Sequence, residues 1–302
     1  MRKKIILGII AFIFLLTPVG YLITKTGWYQ NFRQAQFLAA VVSNTQKLDS
    51  YQVHLESNYS ILGYQMELQS EGEVSQKNAT TSHLNYLIKM NGYGVSPMTV
   101  ELEQYANWDH DTKTLYMNLN RGQWFKETNA SIENYYQYFV DFNHLDYLNE
   151  IYKQSTKNEA SNDFVILQDT EDQQVISVQL DFLQSEKMIQ ILIGNFLKIS
   201  PSIDLTPIYQ SAPKVEYTFT IDKLSEIVLT YEISYDEGIK AIIKQIKTQY
   251  PFSFAAISDE QLDEMFINLK VQINQINQVE VVEIPNEILN QAVEVNQLNN
   301  KN

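Results

Sequence analysis

The side chains that could carry acid–base, nucleophilic or metal chemistry are few in this sequence and widely spaced. There are four histidines, His54, His83, His110 and His144, and none forms the His-Glu-x-x-His pair that places two imidazoles on one helix face to hold zinc. Asp109-His110-Asp111 brings two carboxylates to one imidazole and could hold a cation, but these residue types in a row also signal a turn, which is the expectation here. Cysteine is absent, which removes disulfides, thiolate ligands, thiol nucleophiles and a lipid-modified N-terminal Cys. No Gly-x-Ser-x-Gly elbow, phosphate loop or dinucleotide fingerprint occurs, and Asn91-Gly92-Tyr93-Gly94 reads as a hairpin. Asn58, Asn78 and Asn129 stand in Asn-x-Ser/Thr triplets, which matter only in a host that glycosylates them. The expectation is a protein that is not an enzyme and has no cofactor and no metal.

Charge narrows the partners. The formal net charge is −14, and Arg2, Lys3, Lys4 and Lys25 fall within residues 1–27 beside no acid, so without these four cations the rest carries −18. Nucleic-acid binding needs a basic face to neutralise phosphates, so no nucleic-acid partner is expected. Solubility of an exported domain accounts for the acidity.

What remains is apolar chemistry, and its residues alternate. Tyr51, Val53, Leu55 and Tyr59 interleave with Gln52, His54, Glu56 and Asn58. The pattern returns with Met66 and Leu68, with Leu84, Tyr86, Ile88 and Met90, and with Met98, Val100 and Leu102. Shorter stretches bring Leu115, Met117 and Trp124. Side chains on a strand switch faces at every residue, so these stretches are half-buried antiparallel strands. Turn residues lie between them at Leu62-Gly63, Asn91-Gly92, Asp109–Asp111 and Asn120-Arg121-Gly122. The abundance of aromatics, 19 Tyr and 14 Phe, suits strands as well.

The candidate ligand-lining residues are therefore Met66, Leu68, Leu84, Tyr86, Met98, Val100, Leu102, Leu115 and Met117. An apolar hollow lined this way could take an acyl chain, each buried methylene contributing about 0.8 kcal/mol, and methionine adapts to varied shapes. The same residues could instead pack against the protein's own helices, and both readings stay open.

Other elements must carry that surface. Ile5–Thr24 is an uncharged run behind a basic N-terminus, long enough to cross a bilayer. An uncleaved anchor over residues 1–27 is favoured over a cleaved signal because the run offers no Ala-x-Ala site. Its basic end stays cytoplasmic and residues 28–295 are expected to be extracellular, one pass from the cell membrane. Helical spacing recurs over Gln30–Leu48, Ser131–Ser155, Ser185–Ile199, Gly238–Thr248 and Asn286–Val295, and Ser258 with Gln261 fits a capping box. Asp163–Leu167 with Val175–Leu180 makes a hairpin, and Val215–Ile221 with Ile227–Tyr235 makes a second. A last strand is expected from Leu269 to Glu283, Ser200–Pro213 is a loop, and residues 296–302 are a disordered tail.

Several landmarks look alike to a known group. Tyr105-Ala106-Asn107-Trp108, Leu115-Tyr116-Met117, Gly122-Gln123-Trp124-Phe125-Lys126 and the run Val282-Glu283-Ile284-Pro285-Asn286-Glu287-Ile288 resemble exported Gram-positive proteins of the lipoprotein-carrier (LolA/LppX/LprG-like) half-barrel superfamily. The likeness spans roughly residues 33–295. It implies an α+β fold in which an N-terminal transmembrane helix is followed by a strongly curved antiparallel β half-barrel covered by helices. It also implies a lipid or acylated ligand on the concave side. Relatives are commonly anchored through a lipidated Cys, which this chain lacks. Taken together, the expectation is a membrane-anchored binder of a lipid, acyl chain or lipid-linked envelope component. The alternative is a structural or protein-interaction module of the envelope with a filled core. The oligomeric state is left open.

Overall fold

The computed structural model describes residues 27–61, 63–77, 79–92, 95–108, 112–128, 145–157, 163–182, 204–251 and 257–295. The expected anchor up to residue 26, the Asp109–Asp111 turn, most of the helix expected over 131–155, the helix expected over 185–199 and the tail from 296 lie outside them. Among the described residues no helix is long and apolar enough to cross a membrane.

The alternating stretches become strands β1 (Ser50–Ile61), β2 (Tyr64–Ser75), β3 (Thr80–Gly92), β4 (Val95–Trp108), β5 (Lys113–Leu119) and β6 (Trp124–Thr128). They continue as β7 (Phe164–Asp169), β8 (Gln173–Leu180), β9 (Val215–Asp222), β10 (Ile227–Ser234), β11 (Phe266–Asn274) and β12 (Val293–Glu294). All twelve form one sheet in the order β12-β6-β5-β4-β3-β2-β1-β11-β10-β9-β8-β7. It is curved and unclosed, and every pairing is antiparallel except β12 on β6. Two meanders thus meet where β1 pairs with β11, Leu55 opposite Val271.

Local chemistry explains the turns. Asn120 and Arg121 both take positive φ (50° and 56°), the backbone a tight hairpin needs, and the Gly122 amide donates to the Leu119 carbonyl at 2.9 Å. Between β9 and β10, the Asp222 carboxylate accepts from both the amide and the hydroxyl of Ser225 at 2.6 Å. Those hydrogen bonds hold its pKa below the usual carboxylate range.

Six helices are described: α1 (Gly27–Gln46), α2 (Asp146–Lys157), α3 (Thr206–Ser211), α4 (Asp236–Gln249), α5 (Asp259–Asp263) and α6 (Asn286–Gln291). Leu38 and Val41 of α1 and Ile239, Ile242, Ile243 and Ile246 of α4 enter the main core. Thr45 locks α1 to the sheet, its hydroxyl donating to the Val41 carbonyl and accepting from the Val228 amide at 3.0 Å. The Ser258–Gln261 capping box forms at α5 as expected.

Three expectations are corrected. The last strand stops at Asn274, not Glu283, because Gln275 and Asn277 turn with φ of 48° and 56°. The Asn277 amide then donates to the Ser50 carbonyl at 2.7 Å, and the Ser50 hydroxyl to the Val279 carbonyl at 2.9 Å. The chain from there crosses to the other face of the sheet, where Val282 and Ile288 pack on Tyr105 and Tyr116 in a second, small core. The helix expected over Asn286–Val295 ends at Gln291, since Ala292 is extended and Val293–Glu294 join β6. The proline-rich loop over Ser200–Pro213 holds α3, with Pro207 in its first turn, where the missing amide hydrogen costs nothing.

Candidate functional site

Register decides which side chains share a face. Met66 lies opposite Met90, and Met90 opposite Met98. Leu68, Ile88 and Val100 form the next row, then Ser70, Tyr86 and Leu102, then Gly72, Leu84, Gln104 and Met117, then Val74, Ser82, Ala106 and Leu115. All nine candidates named from the sequence therefore stand on one face of β2–β5. That face continues through Tyr51, Val53 and Leu55 of β1 to Val271, Tyr231, Phe219 and Ile176.

Cover along this face is uneven. The stretch formed by β1 and β8–β11 is filled: Tyr51, Tyr217, Phe219, Tyr231 and Ile176 have no solvent exposure. In β2–β5 the rows open progressively. Leu84 and Leu115 are sealed, at 1% and 4% exposure, so these two belong to the packed core. Met66, Leu68, Tyr86, Val100, Leu102 and Met117 are half-buried, and Met98 is 46% exposed. The open row is rich in methionine, with Met66 accepting a hydrogen bond from the Tyr59 hydroxyl on its sulfur at 2.7 Å. From Met98 to Leu102 the open strip runs about 13 Å along β4 at the usual rise per residue. That is close to one leaflet of a bilayer's hydrocarbon, about 15 Å.

Away from the second core, the opposite face carries mostly polar side chains. An open cleft of about 590 Å³ there is lined by His54, Glu71, Asn85, Glu101, Glu103 and Arg121, among others. His54 lies 3.2 Å from both Glu56 and Glu71. His83 lies 3.0 Å from Glu103 and stacks on Tyr105 at 4.1 Å. Both histidines are half-buried, and among the described residues no group of three or more His, Asp or Glu side chains is placed to hold a metal ion. Burial and the Glu103 charge both raise the Tyr105 pKa. His110 and His144 lie outside the described residues. The tyrosine and tryptophan patch under the C-terminal crossing was not anticipated, although the polar-face positions of Tyr105, Tyr116 and Trp124 break the alternation and signal it.

No protein-family model matches the chain, and no curated protein matches it. Among solved structures it is similar to LprF from Mycobacterium bovis, at 12% identity and a TM-score of 0.39, over 83% of this chain and 95% of that one. It is also similar to a beta-barrel-like protein of domain of unknown function DUF1849 from Brucella abortus, at 8% identity and a TM-score of 0.27, over 74% and 97%. Both superpositions are loose, and the architecture rests on the strand pairing itself.

Proposed function

We propose that this chain is a membrane-anchored, extracytoplasmic protein that holds an acyl chain of a lipid or lipid-linked envelope component against the apolar face of β2–β5. The observation that carries this reading is the contrast along one continuous face: sealed at β8–β11, open at Met98, Val100 and Leu102. A self-sufficient core leaves no row of adjoining apolar side chains half in water, and contiguous exposed apolar surface marks an interaction site. Burying that strip under hydrocarbon stabilises the complex by roughly 25 cal/mol per Å². The role is binding, with no catalytic step, and the uncharged run over Ile5–Thr24 supplies the anchor.

The test is binding of a fluorescent fatty acid to the purified full chain, with native mass spectrometry for lipid carried through purification. Saturable binding, or a co-purified lipid, supports the reading; absence of both overturns it. One observation favours a second reading, an envelope module with a filled core: Leu84 and Leu115 are sealed by the protein's own side chains. A chain that binds no acyl probe yet captures an envelope protein would support that reading instead.

A further inference from the structure

Leu87 is an apolar side chain on the polar face of β3. It is half-buried in the cleft of about 590 Å³, with Gln69 and Glu101 opposite it on the neighbouring strands. In the adjoining row, His54, Glu71, Asn85, Glu103 and Asn118 follow one another across β1–β5. Glu71 and Glu103 stand two strands apart, about 9.5 Å at the usual spacing. Three carboxylates of the cleft, Glu71, Glu101 and Glu103, thus flank an apolar floor and face one permanent cation, Arg121. Each already meets one basic group: Glu71 meets His54 at 3.2 Å, Glu103 meets His83 at 3.0 Å and Glu101 meets Arg121 at 3.2 Å. Each of these contacts uses one oxygen of its carboxylate, so acceptors remain in excess. Asn118 is an independent sign of a missing donor. It lines the cleft and is 7% exposed. Its Nδ2 donates to the Gly122 carbonyl at 3.1 Å, while its buried Oδ1 has no hydrogen-bond partner. A buried acceptor left without a donor is costly, and folded chains keep few of them.

We propose that this cleft is a second binding site, for an alkylammonium group: a primary amine on a methylene stem, as in an oligoamine or a lysine side chain. The stem lies along Leu87, and the ammonium, with three donors and no acceptor, gives hydrogen bonds to Glu103 and to Asn118 Oδ1. The spacing of Glu71 and Glu103 lets a diamine meet both carboxylates at once. Other ligand classes fit less well. An anion is repelled by the three carboxylates, and a neutral polyol forgoes their attraction. Among the described residues no three ligating groups are placed for a metal ion. Because Asn118 Oδ1 is recessed, a compact point charge reaches it better than a broad guanidinium plane does. The site lies on the face opposite the acyl strip and stands or falls separately from it.

The test is calorimetric titration of the full chain in nonionic micelles with 1,5-diaminopentane and, separately, with Nα-acetyl-lysine methylamide. The uncharged control is 1,5-pentanediol. Saturable binding of either amine without binding of the diol supports the site, and the tighter amine identifies the source. Added salt weakens the binding. Glu103→Gln and Asn118→Ala each reduce the affinity by about tenfold, the usual loss of a hydrogen bond to a charged group. Glu260→Gln makes the same charge change on an exposed residue of α5 outside the cleft, and affinity stays within about twofold. Thermal unfolding of each variant accompanies the titrations. If Asn118→Ala loosens the β5–β6 turn, Glu103→Gln, which leaves that turn intact, decides the matter alone. The proposal is overturned if neither amine binds, or if the diol binds as well as the diamine. It is also overturned if Glu260→Gln weakens binding as much as Glu103→Gln, which would reduce the attraction to net charge.

Discussion

Leu84 and Met98 share a face but sit at opposite ends of the burial gradient, so substituting each separates folding from binding. Leu84 is 1% exposed, and truncation to Ala removes buried carbons and leaves a cavity, which costs about 3 kcal/mol in well-packed sites. With a denaturant slope of about 3 kcal/mol per molar urea, the unfolding midpoint falls by about 1 M. Met98 is 46% exposed, and Met98→Glu changes stability by about 0.5 kcal/mol or less. A carboxylate there would have to lose its water against the bound hydrocarbon, which weakens acyl-probe binding by about tenfold or more, the equivalent of about 1.4 kcal/mol. The assays are urea unfolding followed by tryptophan fluorescence and titration with the fluorescent fatty acid. Unchanged probe affinity in Met98→Glu would refute the placement of the ligand on this strip. An unchanged midpoint in Leu84→Ala would refute the sealed end of the gradient.

Gly72 lies opposite Leu84, and a Cβ added there would collide with the His83 carbonyl oxygen and approach Leu84 Cδ2 to 2.7 Å. Gly72→Ala therefore forces β2 from β3 and destabilises by about 3 kcal/mol, read as a lowered urea midpoint, whereas Gly122→Ala, with one contact at 3.0 Å, has a much smaller effect. Burial pushes the Tyr209 hydroxyl up to about 12. The unfolded chain releases this proton near pH 10 while the native protein retains it, so stability is intact below pH 10 and falls as pH rises from 10 to 12. Tyr209→Phe flattens part of that fall in unfolding measured across alkaline pH. Ser258→Ala removes both the acceptor for the Gln261 amide and the capping box, which lowers stability by about 1 kcal/mol and shifts thermal unfolding down by a few degrees.

Strand identity and facing were legible in the residues themselves. The alternation through Tyr51–Leu55, Met66–Leu68, Leu84–Met90 and Met98–Leu102 selects one register, because a one-residue slip would turn every apolar side chain to water. Turn chemistry at Asn120-Arg121-Gly122 and Asp222–Ser225 was equally local. The end of β11 was not, since Val279 and Val281 continue a strand-like pattern. What diverts the chain is the meeting of Asn277 with Ser50, residues far apart in sequence. The short helix α3 was hidden by prolines that suit a first helical turn as well as a loop. For the site, alternation named the face of all nine candidates but not their cover. Leu84 and Met98 are alike in sequence context, and only the arrangement of neighbouring elements distinguishes core from open surface.

Because β1 lies between β2 and β11, its two partners reach it at very different times. The hairpin with β2 can close as soon as both strands exist, but Gln52 waits for Asn274. A chain emerging from a ribosome or a translocation pore carries β1 with one flank bare through the synthesis of everything between. Distant pairings of this sort slow folding, and the waiting flank is where a mispaired strand would lodge. The final shape is therefore set late, by a closure that joins two separately assembled halves.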